Sequence, residues 1–369
     1  MVIDNLGSGG AQRQFVLLAG VLVARGHHVD VFNYYPRHDF YRSQLQLLGI
    51  TVFDHEKGHR FDLGPIRALR RQLQAGKYDG AIAFLRTPSL YLLAARGLAA
   101  APPVAVSERS SSRTGRFNLQ QRVGFGFFRL ANAIVPNSYL AADQIGRSFP
   151  GLRDRLHVIP NGVDLEHFRA IPPQSREADM PLRLLVAARM GPEKNALTVL
   201  DAMALLQQRG MKIPHVTWMG ADDPSNAGQA YAKAVEQRIA THDLGAHWSR
   251  IPAQPNVSER LAQCHAALLP SLYEGTPNFV CEALACGRPV IASSVGDIPR
   301  LLKKSGAGFT FPAQDADALA AAMEQVEGLG AERYAELSNS ARTFAEQELS
   351  VARYGDRWLA LLNGFKETA

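Results

Sequence analysis

Short apolar segments alternate with helical segments along most of the chain, and this alternation restricts the possible folds more than any other feature. In the first half, strands are predicted at residues 2–4, 28–33, 80–84, 104–107, 132–136 and 157–160. Helices are predicted at residues 11–25, 65–75 and 90–97. Strands that alternate with helices form βαβ units, so the sheet they build is parallel. The first strand is short, which indicates that the chain begins late or that its true start lies upstream.

A second series of the same kind follows a polar, proline-rich segment at residues 171–181, which is interpreted as a linker. Its strands are predicted at residues 182–188, 215–219, 247–251, 266–269 and 289–292. A last helical stretch is predicted at residues 331–365. A chain of 369 residues normally divides into two domains that each bury a core. The predicted class is therefore α/β, with domains at 1–168 and 169–345 and a C-terminal helix at 346–369.

Composition is ordinary for a soluble globular protein, with 46% hydrophobic and 20% charged residues. The three cysteines, Cys264, Cys281 and Cys286, are odd in number and lack Cys-x-x-Cys spacing, which favours a reducing compartment and argues against a zinc site. No apolar run has the length of a membrane span. The N-terminus has no basic region typical of a signal peptide.

The most informative stretch, residues 270–289, predicts a strand end followed by a helix. Thr276 is predicted to cap this helix, and Pro277 suits its first turn, where a missing N–H costs nothing. Gly287 is predicted to end the helix, and Pro289 prevents its continuation. Because a helix start offers free backbone N–H groups and a partial positive charge, it can bind phosphate.

Two carboxylates, Glu274 and Glu282, flank this predicted helix start, and Glu282 lies one turn beyond Asn278. A carboxylate beside a phosphate site suggests a second group to hold, and sugar hydroxyls are suitable. The pattern therefore indicates a nucleotide-sugar site. The plainer interpretation makes both glutamates solvated charges at the ends of a helix, because short motifs often match by chance.

The Glu-x7-Glu spacing, with Pro-Ser before it and Ala-Cys-Gly-Arg-Pro-Val-Ile-Ala-Ser after it, resembles the retaining glycosyltransferases of family 4. The resemblance implies a GT-B fold, in which two Rossmann-like domains face each other across a cleft, and a C-terminal helix that crosses back to the first domain. It also implies that Glu282 holds the ribose and Glu274 the donor sugar. The helix start at Thr276, Pro277 and Asn278 would contact the donor.

Two cations, Arg189 and Lys194, follow the first predicted strand of the second half. They leave its C-terminal end, where ligands bind in open α/β sheets, and could hold a diphosphate. The alternative is a solvated loop. The run through Glu193-Lys194-Asn195 is similar to a family pattern, in which the two cations neutralise the departing nucleoside diphosphate.

The glycine-rich loop at residues 7–13 is neither a dinucleotide fingerprint, since Gln12 stands where the third glycine is needed, nor a Walker A loop. It resembles the Gly-Gly-Ala-x-Arg start of family 4 enzymes, which implies that Gly9 and Gly10 let the backbone approach the donor phosphate. Gln12 and Arg13 are further candidates near the acceptor.

Many relatives have a histidine after the fourth strand of the first domain, but this chain has Glu108 and Arg109 there. Either could serve instead. The resemblance implies a metal-independent enzyme in which side chains and a helix end stabilise the departing diphosphate, so we expect no metal and no cofactor. Residues 161–164 resemble the family's interdomain turn and are predicted to be a hinge.

Charge is unevenly distributed in this chain of net charge +6, since residues 1–165 carry net +9 and residues 166–369 net −3. The segment 109–129 contains five arginines and four interleaved phenylalanines: Arg109, Arg113, Arg116, Phe117, Arg122, Phe125, Phe127, Phe128 and Arg129. We expect this segment to bind an anionic membrane surface. The alternative is that the phenylalanines are core and the arginines a solvated face. No nucleic-acid motif is present, so no nucleic-acid partner is expected.

The resemblance implies a retaining transferase that moves a hexosyl or N-acetylhexosaminyl group from a nucleoside-diphosphate sugar, with UDP-sugar favoured. The acceptor would be a glycan or lipid-linked molecule of cell-surface polysaccharide or glycolipid synthesis. The enzyme would work in the cytoplasm, on the inner face of the plasma membrane. A nucleotide-sugar epimerase and a non-catalytic GT-B scaffold remain the alternatives.

Overall fold

The structure is a computed structural model that describes residues 1–59, 62–97, 102–109, 115–170, 172, 180–254 and 256–367. Residues 366 and 367 are described for the backbone only. The chain divides into two compact units. The first contains Met1–Gly162 and Val351–Ala369, and the second contains Val163–Ser350. The unit boundaries thus fall at residues 162 and 350, where the sequence predicted 168 and 345.

The first unit is built on a six-stranded sheet with the order β3-β2-β1-β4-β5-β6, in which every pairing is parallel. Its strands are β1 Val2–Ile3, β2 Asp30–Asn33, β3 Thr51–Asp54, β4 Ala81–Phe84, β5 Val104–Glu108 and β6 Ala133–Pro136. Hydrophobic clusters cover both faces of this sheet, as expected for parallel strands.

Seven helices are described in the first unit: α1 Gly10–Ala24, α2 Arg42–Leu47, α3 Gly64–Ala75, α4 Arg86–Arg96, α5 Leu119–Phe127, α6 Tyr139–Ser148 and, from the end of the chain, the helix Val351–Glu367, which is α14 in chain order. The helix α14 packs against α1. Its Trp358 is fully buried and stacks on Phe84 of β4, with ring centroids 5.8 Å apart. The C-terminal helix is therefore part of the first unit's core.

The second unit repeats the architecture, with a parallel six-stranded sheet in the order β12-β11-β10-β7-β8-β9. Its strands are β7 Arg183–Ala187, β8 His215–Met219, β9 Trp248–Ile251, β10 Ala266–Leu269, β11 Val290–Ser293 and β12 Gly308–Phe311. Its helices are α7 Ala196–Gln208, α8 Asn226–Thr241, α9 Val257–Gln263, α10 Asn278–Ala285, α11 Ile298–Ser305, α12 Ala316–Glu327 and α13 Ala331–Phe344. The predicted class, α/β with two parallel sheets, is confirmed.

Several local predictions were wrong. Residues 157–160 are not a strand, because Pro136 and Pro160 have no N–H to donate and the segment forms only two backbone hydrogen bonds to β6. The helical stretch at 331–365 is interrupted, since α13 passes into a π-helical turn, Ala345–Leu349, before α14 begins. Of the predicted linker at 171–181, residue 171 and residues 173–179 lie outside the described residues.

The aromatic residues of the basic segment are mostly core, which corrects the sequence prediction for three of them. Phe125 and Phe128 are buried, and Phe117 packs against Phe125 with ring centroids 4.9 Å apart. Only Phe127 of the four is exposed. Arg113 lies outside the described residues. Among the helices that the structure describes, none is both long enough and apolar enough to cross a membrane.

Candidate active site

The loop after β7 holds both predicted cations of the second unit. Arg189 follows the strand closely, and Pro192–Lys194 forms a single 3₁₀ turn. Asn195 then takes a left-handed conformation with φ 58° and leads into α7. The tight turn and the left-handed residue keep Lys194 at the C-terminal edge of the sheet, where open α/β sheets bind ligands.

Two carboxylates orient the guanidinium of Arg189. Its Nη2 lies 2.7 Å from Glu193 Oε1 and 3.8 Å from Asp223 Oδ2. The hydrogen bond to Glu193 raises the pKa of Arg189 above its ordinary value. Burial is the largest single influence and raises the pKa of Glu193, but the hydrogen bond from Arg189, a backbone hydrogen bond and the charges of Arg189 and Lys194 together lower it. The Arg189 side chain is still 52% exposed, so a charged, oriented group faces solvent.

Lys194 and Glu274 are brought together from loops 80 residues apart. Lys194 Nζ donates to Glu274 Oε1 over 2.6 Å. The two side chains are 23% and 14% exposed, respectively. The pair joins the loop after β7 to the loop after β10, and places a cation beside a carboxylate at one edge of the sheet.

Asn195 connects the loop after β7 to the loop after β10 through hydrogen bonds. No role was assigned to it from the sequence. Its Nδ2 donates to the carbonyl of Pro270 over 3.1 Å, and its Oδ1 accepts from Thr198 Oγ1 over 2.9 Å. The backbone N–H of Leu272 also donates to the carbonyl of Glu193 over 2.9 Å. An asparagine directly after the Glu-Lys pair is a signal for this role, because asparagine tolerates the left-handed region better than most residues.

The start of α10 differs from its prediction. The helix begins at Asn278, and Pro277 is its N-cap residue rather than part of its first turn. The N-cap residue Pro277 has no polar side chain with which to cap the helix, and the Thr276 hydroxyl, one residue earlier, donates to Asp297 Oδ2 over 3.1 Å. The prediction that Thr276 caps α10 was therefore wrong. Gly287 ends the helix as predicted, with φ +69° two residues beyond Ala285.

Glu282 lies on α10 one turn after Asn278 and is only 4% exposed. The backbone carbonyl of Glu282 accepts from the N–H of Cys286 over 3.0 Å, within the helix. A buried carboxylate is stable only when donors surround it. The two glutamates therefore lie in different structural environments. Glu282 is a buried residue of helix α10, whereas Glu274 lies on the loop before it.

Gly296, in the loop after β11, holds the segment that contains Glu274. Its φ is +60°, and a Cβ at this position would overlap the carbonyl oxygens of Glu274 and Gly275. The next residue, Asp297, donates its backbone N–H to the carbonyl of Gly275 over 3.0 Å. The β11 loop and the β10 loop are thus in direct backbone contact, which only glycine permits.

Gly296→Ala is expected to lower both thermal stability and the transferase activity that the sequence resemblance implies, because the added methyl must displace the Glu274 carbonyl. The left-handed strain costs about 1–2 kcal/mol and the overlap about 1–3 kcal/mol more. Gly306→Ala is the matched control, since Gly306 has φ +61° but nothing within 4 Å of its Cβ position. Thermal unfolding and nucleotide release are measured for both. Equal effects of the two substitutions would contradict this role of Gly296.

In the first unit, the glycine loop is exposed at the start of α1. Gly9 is the N-cap residue, without a side-chain cap, and the backbone N–H of Arg13 donates to its carbonyl over 2.9 Å. Gln12 is nearly buried, and its Nε2 lies 3.3 Å from Asp4 Oδ1. The exposed backbone at Gly9 and Gly10 can therefore accept close approach by a ligand, while Gln12 braces the loop.

Glu108 and Arg109 both have internal partners. Arg86 Nη2 donates to the buried Glu108 Oε2 over 2.8 Å. The guanidinium of Arg109 lies 4.2 Å above the ring of Phe84 and donates to Asn161 Oδ1 over 2.8 Å. These contacts position β5 and the following loop inside the first unit. No cluster of His, Cys, Asp or Glu suited to a metal ion occurs among the described residues.

Two family models match consecutive parts of the chain. The model for Glycosyltransferase Family 4 matches residues 8–167, and the model for Glycosyl transferases group 1 matches residues 167–344. The second match contains Arg189, Lys194, Glu274 and Glu282. The chain belongs to glycosyltransferase family 4.

Relatives of this family 4 glycosyltransferase agree with the match. EpsF of Bacillus subtilis, named as a glycosyltransferase, is 27% identical over 79% of this chain and 78% of its own length. The amylovoran biosynthesis glycosyltransferase AmsK of Erwinia amylovora is 29% identical over 46% of this chain and 41% of its own length. Anabaena HepE, solved in complex with UDP-glucose, superposes with a TM-score of 0.80 at 18% identity and covers 98% of this chain and 99% of that chain. The fold is GT-B, as predicted.

Proposed function

We propose that this glycosyltransferase is a retaining enzyme that takes a hexosyl or N-acetylhexosaminyl group from a nucleoside-diphosphate sugar. The observation that carries the proposal is the Lys194–Glu274 pair, 2.6 Å apart, beside the uncapped start of α10. One site thereby contains a cation and helix N–H groups for a diphosphate, and a carboxylate for sugar hydroxyls.

The reaction needs the departing diphosphate to be stabilised. Arg189 and Lys194 neutralise its developing negative charge, together with the N–H groups at the start of α10. The acceptor hydroxyl attacks from the leaving-group face, and a phosphate oxygen takes its proton. Because bond formation and bond cleavage occur on one face, the anomeric configuration is kept.

The two glutamates have separate tasks in this proposal. Glu282, inside α10, accepts hydrogen bonds from the ribose hydroxyls, and Glu274 accepts from the donor sugar. The exposed backbone at Gly9 and Gly10 of the first unit is the proposed contact for a phosphate group. UDP-sugar is favoured as donor because HepE, of the same fold, was solved with UDP-glucose.

The proposed acceptor is a glycan or a lipid-linked molecule in the synthesis of a cell-surface polysaccharide or glycolipid. The relative AmsK is named for the biosynthesis of amylovoran, which supports a polymer-forming pathway. The proposed location is the cytoplasm, at the inner face of the plasma membrane.

A panel of UDP-, GDP- and ADP-sugars, with and without acceptor, tests the proposal through nucleotide release. We expect one donor to be turned over, faster with acceptor, and proton NMR to show a retained anomeric configuration in the product. Conversion of the sugar without nucleotide release would indicate an epimerase. Absence of any turnover, with nucleotide still bound, would indicate a scaffold.

A further inference from the structure

Helix α5 of the first unit is apolar on two faces. Its inner face packs against the unit through Gly124 and Phe125, both of which are buried. Its outer face carries Leu119, Val123 and Phe127 at four-residue intervals, with exposed fractions of 77%, 55% and 53%. Exposed apolar side chains that lie together on a surface mark an interaction site. The outer face of α5 is therefore a surface that the described chain leaves uncovered.

Exposed arginines border this outer face. Arg116 precedes α5, Arg122 lies within it, and Arg129 follows it, and all three are exposed. Between residues 109 and 142 the sequence contains no aspartate or glutamate. The charges that border the apolar strip are therefore all positive.

Two further arginines reach the same end of α5 from other elements. Arg96, at the end of α4, donates to the carbonyl of Leu130 over 2.8 Å. Arg155 donates to the carbonyl of Ala131 over 2.7 Å. Leu130 itself is 49% exposed and extends the apolar strip. Because hydrogen bonds hold these guanidinium groups at the end of the strip, the positive charge there is built into the unit.

We propose that the outer face of α5, together with Leu130 and its arginine border, binds an anionic lipid bilayer. A surface helix with exposed apolar side chains between arginines can place those side chains at the headgroup boundary, while the arginines meet lipid phosphates. The inference extends the proposed function by giving a transferase with a lipid-linked acceptor a surface on which to meet it. It assigns the contact to Leu119, Val123 and Phe127, and not to the buried phenylalanines.

Sedimentation with vesicles tests the apolar part. The wild-type protein is expected to sediment at low salt with phosphatidylcholine vesicles that contain phosphatidylglycerol, and not with phosphatidylcholine alone. Leu119→Ser/Phe127→Ser should reduce binding about tenfold or more, because two exposed apolar side chains no longer enter the interface. The matched control is Leu47→Ser/Met211→Ser, which changes two side chains that are 89% and 46% exposed elsewhere.

The charged part is tested with Arg122→Gln/Arg129→Gln. Each arginine contributes about a fivefold factor, so the pair should weaken binding about 25-fold, and about 1 M salt should abolish binding. Lys303→Gln/Lys304→Gln removes the same charge from exposed positions in the second unit and should change binding little.

Several results would overturn the inference: no sedimentation of the wild type at low salt, equal losses in the control variants, or unchanged vesicle binding in the α5 variants. A wild-type dimer that the α5 substitutions dissociate, with vesicle binding intact, would assign the surface to a second copy of the chain. Nucleotide release without vesicles should be unchanged in all four variants. Loss of docking is thus distinguished from failure of the proposed transfer reaction.

Discussion

Replacement of Lys194 by alanine is expected to lower kcat/KM by about 2–4 kcal/mol, the range seen when one preorganised charge-stabilising group is removed. Its ammonium group is held 2.6 Å from Glu274 Oε1, in the loop that leads to α10. A group held there can stabilise a leaving diphosphate without reorganising. Arg189→Ala should have an effect of similar size, because Glu193 and Asp223 orient its guanidinium.

Steady-state nucleotide release measures these effects, with thermal unfolding as the test of folding. Lys233→Ala is the control, since Lys233 is an exposed lysine on α8 of the same unit. Arg189→Lys should restore only part of the loss, because lysine keeps the charge without the forked donors. Near wild-type turnover in a folded Lys194→Ala or Arg189→Ala protein would refute the diphosphate assignment.

Glu282→Ala is expected to weaken the binding of free nucleoside diphosphate by about 1.5–3 kcal/mol, roughly ten- to hundredfold, because hydrogen bonds to a charged acceptor are lost. Glu274→Ala should leave the free nucleotide bound and impair binding or transfer of the sugar. Lys194 loses its partner in this variant but keeps its charge, so its ammonium group can still contact the diphosphate.

Calorimetry with nucleoside diphosphate alone separates the two carboxylates. Glu282→Gln, which keeps the volume of this buried side chain, shows whether any loss comes from charge or from packing. Similar losses of nucleotide affinity in Glu274→Ala and Glu282→Ala would disprove the division of roles.

Much of the fold could be predicted because central parallel strands are buried along their whole length. The central strands β4, β10 and β11 are buried at every position, and each appears in the sequence as a largely apolar run. The edge strands β3 and β12 were missed. Each is partly exposed, so its residues show no clear apolar run.

The site could be predicted as a set of residues but not as a set of contacts. Local patterns place Lys194 after a strand and Glu274 before a helix, yet nothing local indicates that they pair across 80 residues. The same limit explains the wrong cap. The capping rule considers neighbours of Thr276 in sequence, whereas its hydroxyl finds Asp297, 21 residues later.

The central claim, that a nucleoside diphosphate lies at the start of α10, is tested most directly by amide hydrogen exchange. Exchange is compared with and without the diphosphate that the panel of donors releases. The account predicts slower exchange at residues 189–195 and 276–280. It predicts unchanged exchange at residues 303–306, at the C-terminal end of α11, which serve as the internal control. Unchanged exchange at residues 276–280 under saturating nucleotide would contradict it.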